Sequence, residues 1–428
     1  MHARILNDIA HRRYNPLKDT WVMSVSPRKF KRPRQGQKEP ISSGVKLPYD
    51  HKCYLCPGNA RANGALNPTY AGSFLFENDF STVRMDEGHY DTNTYQHKIS
   101  SDMLRAEPVI GRCYVLVYSA NHHYHVSDMT SLEVMGIVEV WASVYARHIS
   151  TEGPPNMVMT HTDGHDSSCG EETCLENANL RYMQIFDNNG PIVGASNPHP
   201  HGQIWITSSI PDEASQELAQ MSNYRMHHGG NHLLQDYARL EMDKKERIVY
   251  QNEAFLVVCP WWAVWPYEVL LLPKMHISRL VDLSDEKRFQ LAEAILQVTK
   301  AFDNLFGVTF PYISGVHQAP LNATQAELDS SYLHMHFCPP LLFPNIKKFF
   351  GGCELFGEPT REIPPEVAAK HLRCSISQLS IDSVGRKSPD TQPQANTVLA
   401  RPLNGENIGS EVISSWWRRV LRTLVQLK

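Results

Sequence analysis

Two stretches of the chain repeat the same order of apolar and polar positions. The first, CYVLVYSANHHYHVSDMTSLEVMGIVEVWASVY, starts at Cys113, and the second, YEVLLLPKMHISRLVDLSDEKRFQLAEAILQV, starts at Tyr267. Each opens with an apolar run typical of a strand and passes through a polar turn that contains histidine. An acidic helix start and apolar residues spaced three and four apart then follow. The pattern predicts a strand, a turn and an amphipathic helix in each half of the chain.

A further strand with two histidines follows each of these units. In the first half it reads NPHPHGQIW, and in the second half YLHMHFCPP. We predict two copies of one α+β unit, side by side in a continuous or paired sheet. The predicted divisions are residues 1–209 for the first copy, 210–374 for the second and 375–428 for a divergent, flexible tail.

His199 and His201 stand one residue apart in the first of these strands. In an extended segment residues i and i+2 point to the same side, so the two rings can share one site or face neighbouring sites. Imidazole can serve as nucleophile, acid, base or metal ligand near neutral pH. A surface turn that merely contains two histidines is the plain alternative for so short a motif.

Length and composition indicate an ordinary globular chain. Its 428 residues, 42% of them hydrophobic, suit one to three domains, and a formal net charge of −4 provides no basic field for nucleic acid. The N-terminus lacks the apolar core of a secretory signal. The odd count of nine cysteines then favours reduced thiols and metal ligands over disulfides. We expect a cytoplasmic protein.

The longest apolar run is LVVCPWWAVWPYEVLLLP. Pro260, Pro266 and Glu268 interrupt it. These interruptions favour two buried strands around a bend over a membrane span.

Two regions lie outside the repeat. Residues 151–179 are polar and include HTDGHDSSCGEETC, which fits either a second metal loop or a solvated insertion, and we assign them no chemistry. The tail ends in ISSWWRRVLRTLVQLK, where Trp417, Leu421 and Leu424 share one helical face. Such a segment can dock on the body, stay disordered or rest on a membrane surface.

Cys53 and Cys56 form CYLC, whose spacing lets two thiolates reach one tetrahedral ion. Redox pairs and chance also produce this spacing. Histidines from other strands strengthen the metal interpretation, because His122 in the NHHYH turn and His199 can complete the set. We therefore predict a zinc site formed by Cys53, Cys56, His122 and His199, which leaves His201 free for another role.

Several motifs in this order resemble the galactose-1-phosphate uridylyltransferase family, over roughly Ala10 to Arg373. They are HRRYNPL, KRPRQG, CYLCPGN, FENDF, SNPHPHGQIW, WAVWPYEVLLLPK and HMHF. The family belongs to the histidine-triad superfamily. The resemblance implies an α+β fold of two histidine-triad-like repeats, each an antiparallel sheet with flanking helices, in one compact catalytic unit that forms a homodimer.

The resemblance also implies an activity. Family members exchange UMP between UDP-glucose and galactose 1-phosphate by double displacement, so UDP-glucose, UDP-galactose and hexose 1-phosphates are the expected ligands. The family's nucleophile matches His201, the donors to the phosphoryl oxygens match Gln203 and Ser196, and a carboxylate that orients the site matches Asp187. The chemistry agrees, since neutral imidazole both attacks phosphorus and leaves readily near pH 7.

Further site residues are carried over from the same resemblance. A second metal, iron or zinc, is implied at Glu217, His317, His334 and His336, where oxygen and nitrogen ligands suit either ion; the alternative is that His334 and His336 are relics of the repeat. The implied substrate-binding residues are Asn78, Asp79, Asn188, Lys348 and Glu354.

The chain also departs from the family pattern. Ile110 stands in a segment that usually carries arginine, Cys353 replaces an aromatic residue, and Thr360 replaces a glutamine. These changes concern phosphate neutralisation and hexose binding. Besides an active uridylyltransferase, two other interpretations therefore stay open: a weak or inactive paralogue that binds nucleotide sugars, and a histidine-triad hydrolase or phosphorylase acting on another nucleotide.

Overall fold

A nine-stranded antiparallel sheet organises the described part of the chain. The computed structural model describes residues 9–24, 47–85, 103, 107–149 and 180–385, with side chains to residue 376. Residues 151–179 lie outside this part of the chain, as do residues 386–428 of the predicted tail, where the apolar helical face was expected. The strands, numbered in chain order, are β1 His11–Asn15, β2 Thr20–Ser24, β3 Phe74–Glu77, β4 Gly111–Val117, β5 Tyr182–Asn189, β6 His201–Thr207, β7 Ile248–Gln251, β8 Phe255–Val258, β9 Val269–Pro273, β10 Tyr312–His317, β11 His334–Cys338, β12 Leu341–Phe343, β13 Ile346–Lys347 and β14 Thr360–Arg361.

The order of strands in the large sheet is β3-β4-β6-β5-β10-β11-β9-β8-β7. The first half of the chain contributes β3-β4-β6-β5, and the second half contributes β10-β11-β9-β8 in the reverse sense, so the two predicted copies meet where β5 pairs with β10. This arrangement confirms the predicted α+β class with one continuous antiparallel sheet. The division into domains at 209 and 374 stays a prediction.

Seven helices occur in the described residues, together with short 3-10 turns. They are α1 Ser131–Ile149, α2 Asp212–His227, α3 Leu233–Lys244, α4 Asp285–Phe306, α5 Gln325–Ser330, α6 Cys353–Phe356 and α7 Pro365–Gly385. The helices predicted in the two repeated stretches are α1 and α4, which pack against each other. The start of α4 is capped by the Ser284 side chain, which accepts a hydrogen bond from the Lys287 amide.

Strand β6 shows how the sequence positions the site. Gly202, Ile204 and Ile206 are buried, whereas His201 and Gln203 are half-buried. Because neighbouring residues of a strand point to opposite faces, Ile204 and Ile206 join the core with α1 and α4 while His201 and Gln203 lie on the other face.

The interrupted apolar run forms β8 and β9, joined around Pro260 and Pro266, and every residue of both strands is buried. The expected bend between two buried strands is confirmed. Among the described residues, we find no helix with both the length and the apolar character that a membrane crossing requires.

Two smaller sheets flank the large one. β1, β2 and β14 form a three-stranded sheet in which β14 runs parallel to β2, and β12 pairs with β13. Neither of these sheets was predicted from the sequence.

Candidate active site and metal centres

The turn before β6 separates the two histidines. The Asn197 side-chain oxygen Oδ1 accepts a hydrogen bond from the His199 backbone amide at 2.9 Å, which forms an Asx turn at the Asn-Pro sequence. His199 is fully buried ahead of the strand, whereas His201 is half-buried at its first position. Of the two arrangements left open by the sequence, the rings therefore face neighbouring sites.

Cys53, Cys56, His122 and His199 come together in one buried cluster, and their ligand atoms all lie within 4.8 Å of one another. The Cys56 Sγ atom lies 3.4 Å from His122 Nδ1 and 3.5 Å from His199 Nδ1, and Cys53 Sγ lies 3.7 Å from His199 Nδ1. The other nitrogen of His199, Nε2, lies 2.7 Å from the Ser119 carbonyl oxygen and donates to it, so Nδ1 presents its lone pair to the cysteines.

These spacings fit a tetrahedral metal ion. A zinc ion about 2.3 Å from sulfur and about 2.0–2.1 Å from nitrogen would hold the two atoms about 3.6 Å apart. Burial raises the pKa of Cys56 to about 11 and lowers the pKa of His199 to about 4. Neutral imidazoles and buried thiols are the donor set that a soft or borderline cation binds, with release of the thiol protons.

Glu217, His317, His334 and His336 form a second cluster. Glu217 comes from α2, while β10 and β11 supply the histidines, with His317 directly opposite His334 in the register. Glu217 Oε2 lies 2.6 Å from His317 Nδ1 and 3.0 Å from His334 Nε2. Burial would raise the pKa of Glu217, but His317 and His334 outweigh it and hold that pKa well below its ordinary value.

Two atoms of this second cluster indicate a cation. Glu217 Oε1 and His336 Nε2 are buried, lie 3.7 Å apart, and have no hydrogen-bond partner among the described residues. Buried polar atoms are rarely left in this state, and an ion between them would satisfy both. His334 Nδ1 lies 2.7 Å from the Tyr332 carbonyl oxygen, which makes Nε2 the nitrogen that faces Glu217.

A cleft of about 710 Å³ contains His201. The predicted residues Ser196, Asn188 and Asp187 also line it, as do His123 and His125 from the turn after β4. His201 Nδ1 lies 2.8 Å from the His199 carbonyl oxygen and donates to it, which leaves Nε2 as the nitrogen with a lone pair. Burial lowers the pKa of His201, so the ring is neutral near pH 7.

Asp187 lines this cleft from a buried position on β5. It is buried and accepts a hydrogen bond from the Tyr118 hydroxyl. Burial raises the pKa of Asp187 to about 7, although the bond from Tyr118 opposes the shift.

Other predicted site residues lie outside this cleft. Gln203 is on the same face of β6 as His201, and its side-chain carbonyl accepts a hydrogen bond from the Trp205 indole at 3.1 Å. Asn78 and Asp79 follow β3 and line two adjoining pockets at that end of the strand.

Lys348 and Glu354 form a buried ion pair, with Lys348 Nζ 2.9 Å from Glu354 Oε1. Thr360, at one of the positions that depart from the family pattern, donates to the same Glu354 oxygen from its amide and from its hydroxyl, each at 2.8 Å. Thr360 therefore fixes the Glu354 carboxylate. Cys353 is exposed at the start of α6, and Ile110 pairs through its backbone with Ser208 just before β4.

Three contacts of the site were not predicted. The Asn197 amide donates to Cys53 Sγ at 3.4 Å, the Ser119 carbonyl orients His199, and Tyr118 supports Asp187. The Asn-Pro-His sequence carried a signal for the first, since an asparagine at that place favours an Asx turn. The other two arise only when β4 pairs with β6.

Comparisons with known proteins give a consistent result. The family model described as galactose-1-phosphate uridyl transferase, N-terminal domain, matches residues 3–211, and the model of the C-terminal domain matches residues 217–385. Together they cover most of the chain.

Individual relatives agree with the family models. The chain is 48% identical over 381 residues to galactose-1-phosphate uridylyltransferase of Neurospora crassa, covering 87% of this chain and 97% of the relative. It is 48% identical over 380 residues to the enzyme of that name from Hypocrea jecorina, covering 89% and 98%. A solved structure titled as a uridylyltransferase superposes with a TM-score of 0.62 at 22% identity, over 87% of this chain and 99% of that one, and this likeness supports the fold alone.

Proposed function

Because this chain belongs to the galactose-1-phosphate uridylyltransferase family, we propose that it transfers UMP between UDP-glucose and galactose 1-phosphate with His201 as the covalent carrier. The observation that carries the proposal is the state of His201. Its ring lies in the large cleft, gives its Nδ1 proton to a backbone carbonyl and is kept neutral by burial. A neutral imidazole with a fixed lone pair is a competent nucleophile toward phosphorus.

The reaction then runs in two displacements. The His201 Nε2 lone pair attacks the α-phosphorus of UDP-glucose, a phosphorus–nitrogen bond forms, and the phosphorus–oxygen bond to glucose 1-phosphate breaks. A phosphate oxygen of galactose 1-phosphate next attacks the phosphorus of the uridylylated His201. A phosphorus–oxygen bond forms and the phosphorus–nitrogen bond breaks, which releases UDP-galactose and the neutral ring. Fixed orientation of the His201 ring provides most of the rate enhancement, because the strand holds its backbone and the hydrogen bond at Nδ1 holds its ring.

Ser196 and Gln203 are proposed as donors to the phosphoryl oxygens. Ser196 lies in the cleft, and Gln203 lies on the same face of β6 as His201. The Gln203 carbonyl is engaged by Trp205, which leaves the amide nitrogen as the donating end.

The substrate-binding roles carried by the resemblance are proposals as well. Asn188 lines the cleft, whereas Asn78 and Asp79 line the pockets beyond β3. Lys348 and Glu354 are proposed to serve the hexose phosphate, and their ion pair and Thr360 fix the carboxylate for that task.

We further propose zinc at the cysteine and histidine cluster, and iron or zinc at the glutamate and histidine cluster. Bound there, the ions would supply structural cross-links between elements that are distant in sequence. The ligand types and spacings of both clusters support this proposal.

A homodimer and a cytoplasmic location are also proposed. All seven described cysteines are free thiols, which agrees with a reducing compartment. Sedimentation of the purified chain tests the dimer.

The test of the function uses UDP-glucose alone. Wild-type protein should release glucose 1-phosphate stoichiometrically with active sites and retain UMP in an acid-labile, base-stable bond. His201→Ala should bind UDP-glucose and form no adduct, and His201→Gly should regain reactivity with added imidazole. His227→Ala, which removes an exposed histidine on α2, is the matched control and should behave as the wild type.

The other functional classes predict different products from the same mixture. Free UMP without an adduct indicates a hydrolase, and binding of UDP-glucose without any product indicates an inactive paralogue. A His201→Ala protein that transfers UMP at the wild-type rate removes the proposed mechanism.

A further inference from the structure

A small pocket adjoins the cluster of Glu217 and three histidines. Its volume is about 10 Å³, which is room for about one water molecule. Glu217, His317 and His334 line this pocket together with Tyr182, from the start of β5, and Gln318, which directly follows β10. Tyr182 and Gln318 have no role in the function proposed above.

Tyr182 and Gln318 are buried side chains that each have a proton to donate. Tyr182 is 2% exposed and Gln318 is 5% exposed. The Gln318 side-chain oxygen accepts a hydrogen bond from the Leu280 amide at 3.1 Å, which fixes the orientation of the side-chain amide. The other end of that amide, Nε2, has no hydrogen-bond partner in the described part of the chain.

The Tyr182 hydroxyl is in the same state, since it too has no hydrogen-bond partner among the described residues. The backbone amide of Gln318 faces the phenolic oxygen, but an amide is a donor and cannot accept the hydroxyl proton. Burial, and after it the charge of Glu217, raises the pKa of Tyr182. The hydroxyl therefore keeps its proton and lies within electrostatic reach of the Glu217 carboxylate.

Glu217 offers the acceptor at this pocket. Its Oε2 atom is engaged by His317 and His334, at 2.6 Å and 3.0 Å. Its Oε1 atom is buried and has no hydrogen-bond partner within the described ranges. An ion bound to the cluster would use one lone pair of Oε1, and the second lone pair would still accept a hydrogen bond.

The balance of donors and acceptors indicates what the pocket holds. The two donors would repel a cation, the carboxylate would repel an anion, and the volume is too small for a larger molecule. A water molecule accepts from the Tyr182 hydroxyl and from Gln318 Nε2 and donates to Glu217 Oε1. It satisfies all three groups, each of which is costly to bury without a partner.

We propose that Tyr182 and Gln318 hold a buried water molecule that donates to Glu217 Oε1 and thereby orients this carboxylate as a metal ligand. Tyr182 and Gln318 are positioning residues, because they act on Glu217 through the water. The effect on metal binding rests on the metal proposed above for this cluster, whereas the water does not depend on it.

Cobalt(II) binding to the full-length, metal-depleted protein tests this inference without catalysis. Only the cluster with cysteines gives a sulfur-to-cobalt charge-transfer band, so the two clusters can be titrated separately. Tyr182→Phe, which removes only the hydroxyl, should weaken cobalt binding at the Glu217 cluster about tenfold to a hundredfold, as is typical when a partner of a metal ligand is lost. Gln318→Leu should have an effect of the same size.

The double variant tests whether the two residues share one water. If they do, Tyr182→Phe with Gln318→Leu should bind cobalt no more weakly than the weaker of the two single variants, because the first substitution already removes the water. Independent effects on packing would multiply instead.

Controls separate this role from a general loss of stability. Tyr267→Phe removes another buried hydroxyl, which lies 3.3 Å from His371 Nδ1 and lines neither cluster. It is the matched control and should keep the wild-type affinity for cobalt at the Glu217 cluster. Cobalt binding at the cysteine cluster should stay at the wild-type value in every variant.

A high-resolution crystal structure of the wild-type protein gives the direct measurement. A water within hydrogen-bond distance of the Tyr182 hydroxyl, Gln318 Nε2 and Glu217 Oε1 supports the inference, and a pocket without water overturns it. Unchanged cobalt affinity in folded Tyr182→Phe protein, or multiplying losses in the double variant, also overturns it. Failure of the proposed metal looks different, because the wild-type protein itself then binds no cobalt at Glu217, while the crystal structure still shows or lacks the water.

Discussion

At the scale of single residues, Gly202 shows how closely the strand of His201 is supported. A Cβ atom at this position would lie 2.3 Å from the Tyr118 hydroxyl oxygen, so a side chain would displace Tyr118. Tyr118 in turn donates to the buried Asp187. The strand that carries His201, the proposed nucleophile, is thus backed by Tyr118 and Asp187.

The pKa of Asp187 leads to a prediction about pH. Because burial raises this pKa to about 7, the folded protein keeps a proton that the unfolded chain loses near pH 4. Folding therefore becomes less favourable as the pH rises from about 4 to about 7, where the unfolded state binds fewer protons. Asp187→Asn should remove this penalty and raise the melting temperature by roughly 2–6 °C at pH 8, but by much less at pH 5.

Thermal denaturation at both pH values checks this prediction. Asp243→Asn, at an exposed position on α3, is the control and should show no such difference. An equal effect of Asp187→Asn at pH 5 and pH 8 would contradict the raised pKa.

The sequence predicted residues of the site by chemical type better than by contact. All eight predicted metal ligands come together in two clusters. They could be predicted because cysteine, histidine and glutamate are common metal ligands and their spacing in this sequence is unusual. Tyr118 has no such signature, since tyrosine occurs everywhere in a globular protein. Its contact with Asp187 follows only from strand pairing.

At the scale of elements, periodicity predicted the parts that bury an apolar face. Helices α1 and α4 and strands β4 and β9 lie where the pattern placed them, because each has a continuous stripe or run of apolar residues. The sheet of β1, β2 and β14 was not foreseen. Its strands are two to five residues long, and β14 pairs with a strand more than 300 residues away, which no local pattern encodes.

Helix α1 contains a glycine whose replacement by alanine tests the stability of the helix. Gly136 lies inside this helix, and a Cβ atom added there would meet no atom within 4 Å. Gly136→Ala should stabilise the protein by about 0.5–1 kcal/mol, because glycine loses more backbone entropy in a helix than alanine does. Urea denaturation measures the change.

A second glycine provides a control of opposite sign. Gly307 ends α4 with a φ of +67°, a conformation that costs alanine strain. Gly307→Ala should destabilise the protein. If Gly136→Ala also destabilises it, α1 is not packed as described.

At the scale of the whole molecule, the sequence predicted two copies but not their junction. The histidine-bearing strands β6 and β11 are separated by β5 and β10, which pair at the centre of the sheet. Which strands of the two copies pair with each other depends on the burial of both faces of the whole sheet, and no short motif specifies it. The consequence is that one cluster ties the cysteine loop to the turns around β4 and β6, while the other ties α2 to β10 and β11.

We expect substitutions in the two clusters to affect metal content and stability, whereas substitutions of His201 affect the reaction. Cys53→Ser with Cys56→Ser should abolish metal binding at the first cluster and lower the melting temperature by roughly 5 °C or more, because the buried histidines then lack their cation.

Glu217→Ala should likewise remove metal from the second cluster, and stability should fall further than turnover does. Glu217 ties α2 to two strands and does not line the His201 cleft, so its loss acts on folding before it acts on chemistry. Metal analysis, calorimetry and steady-state rates on each variant separate these effects. Full metal content and an unchanged melting temperature in the cysteine variant would exclude the first site. A folded, fully metallated Glu217→Ala protein without turnover would move Glu217 from the scaffold into the catalytic machinery.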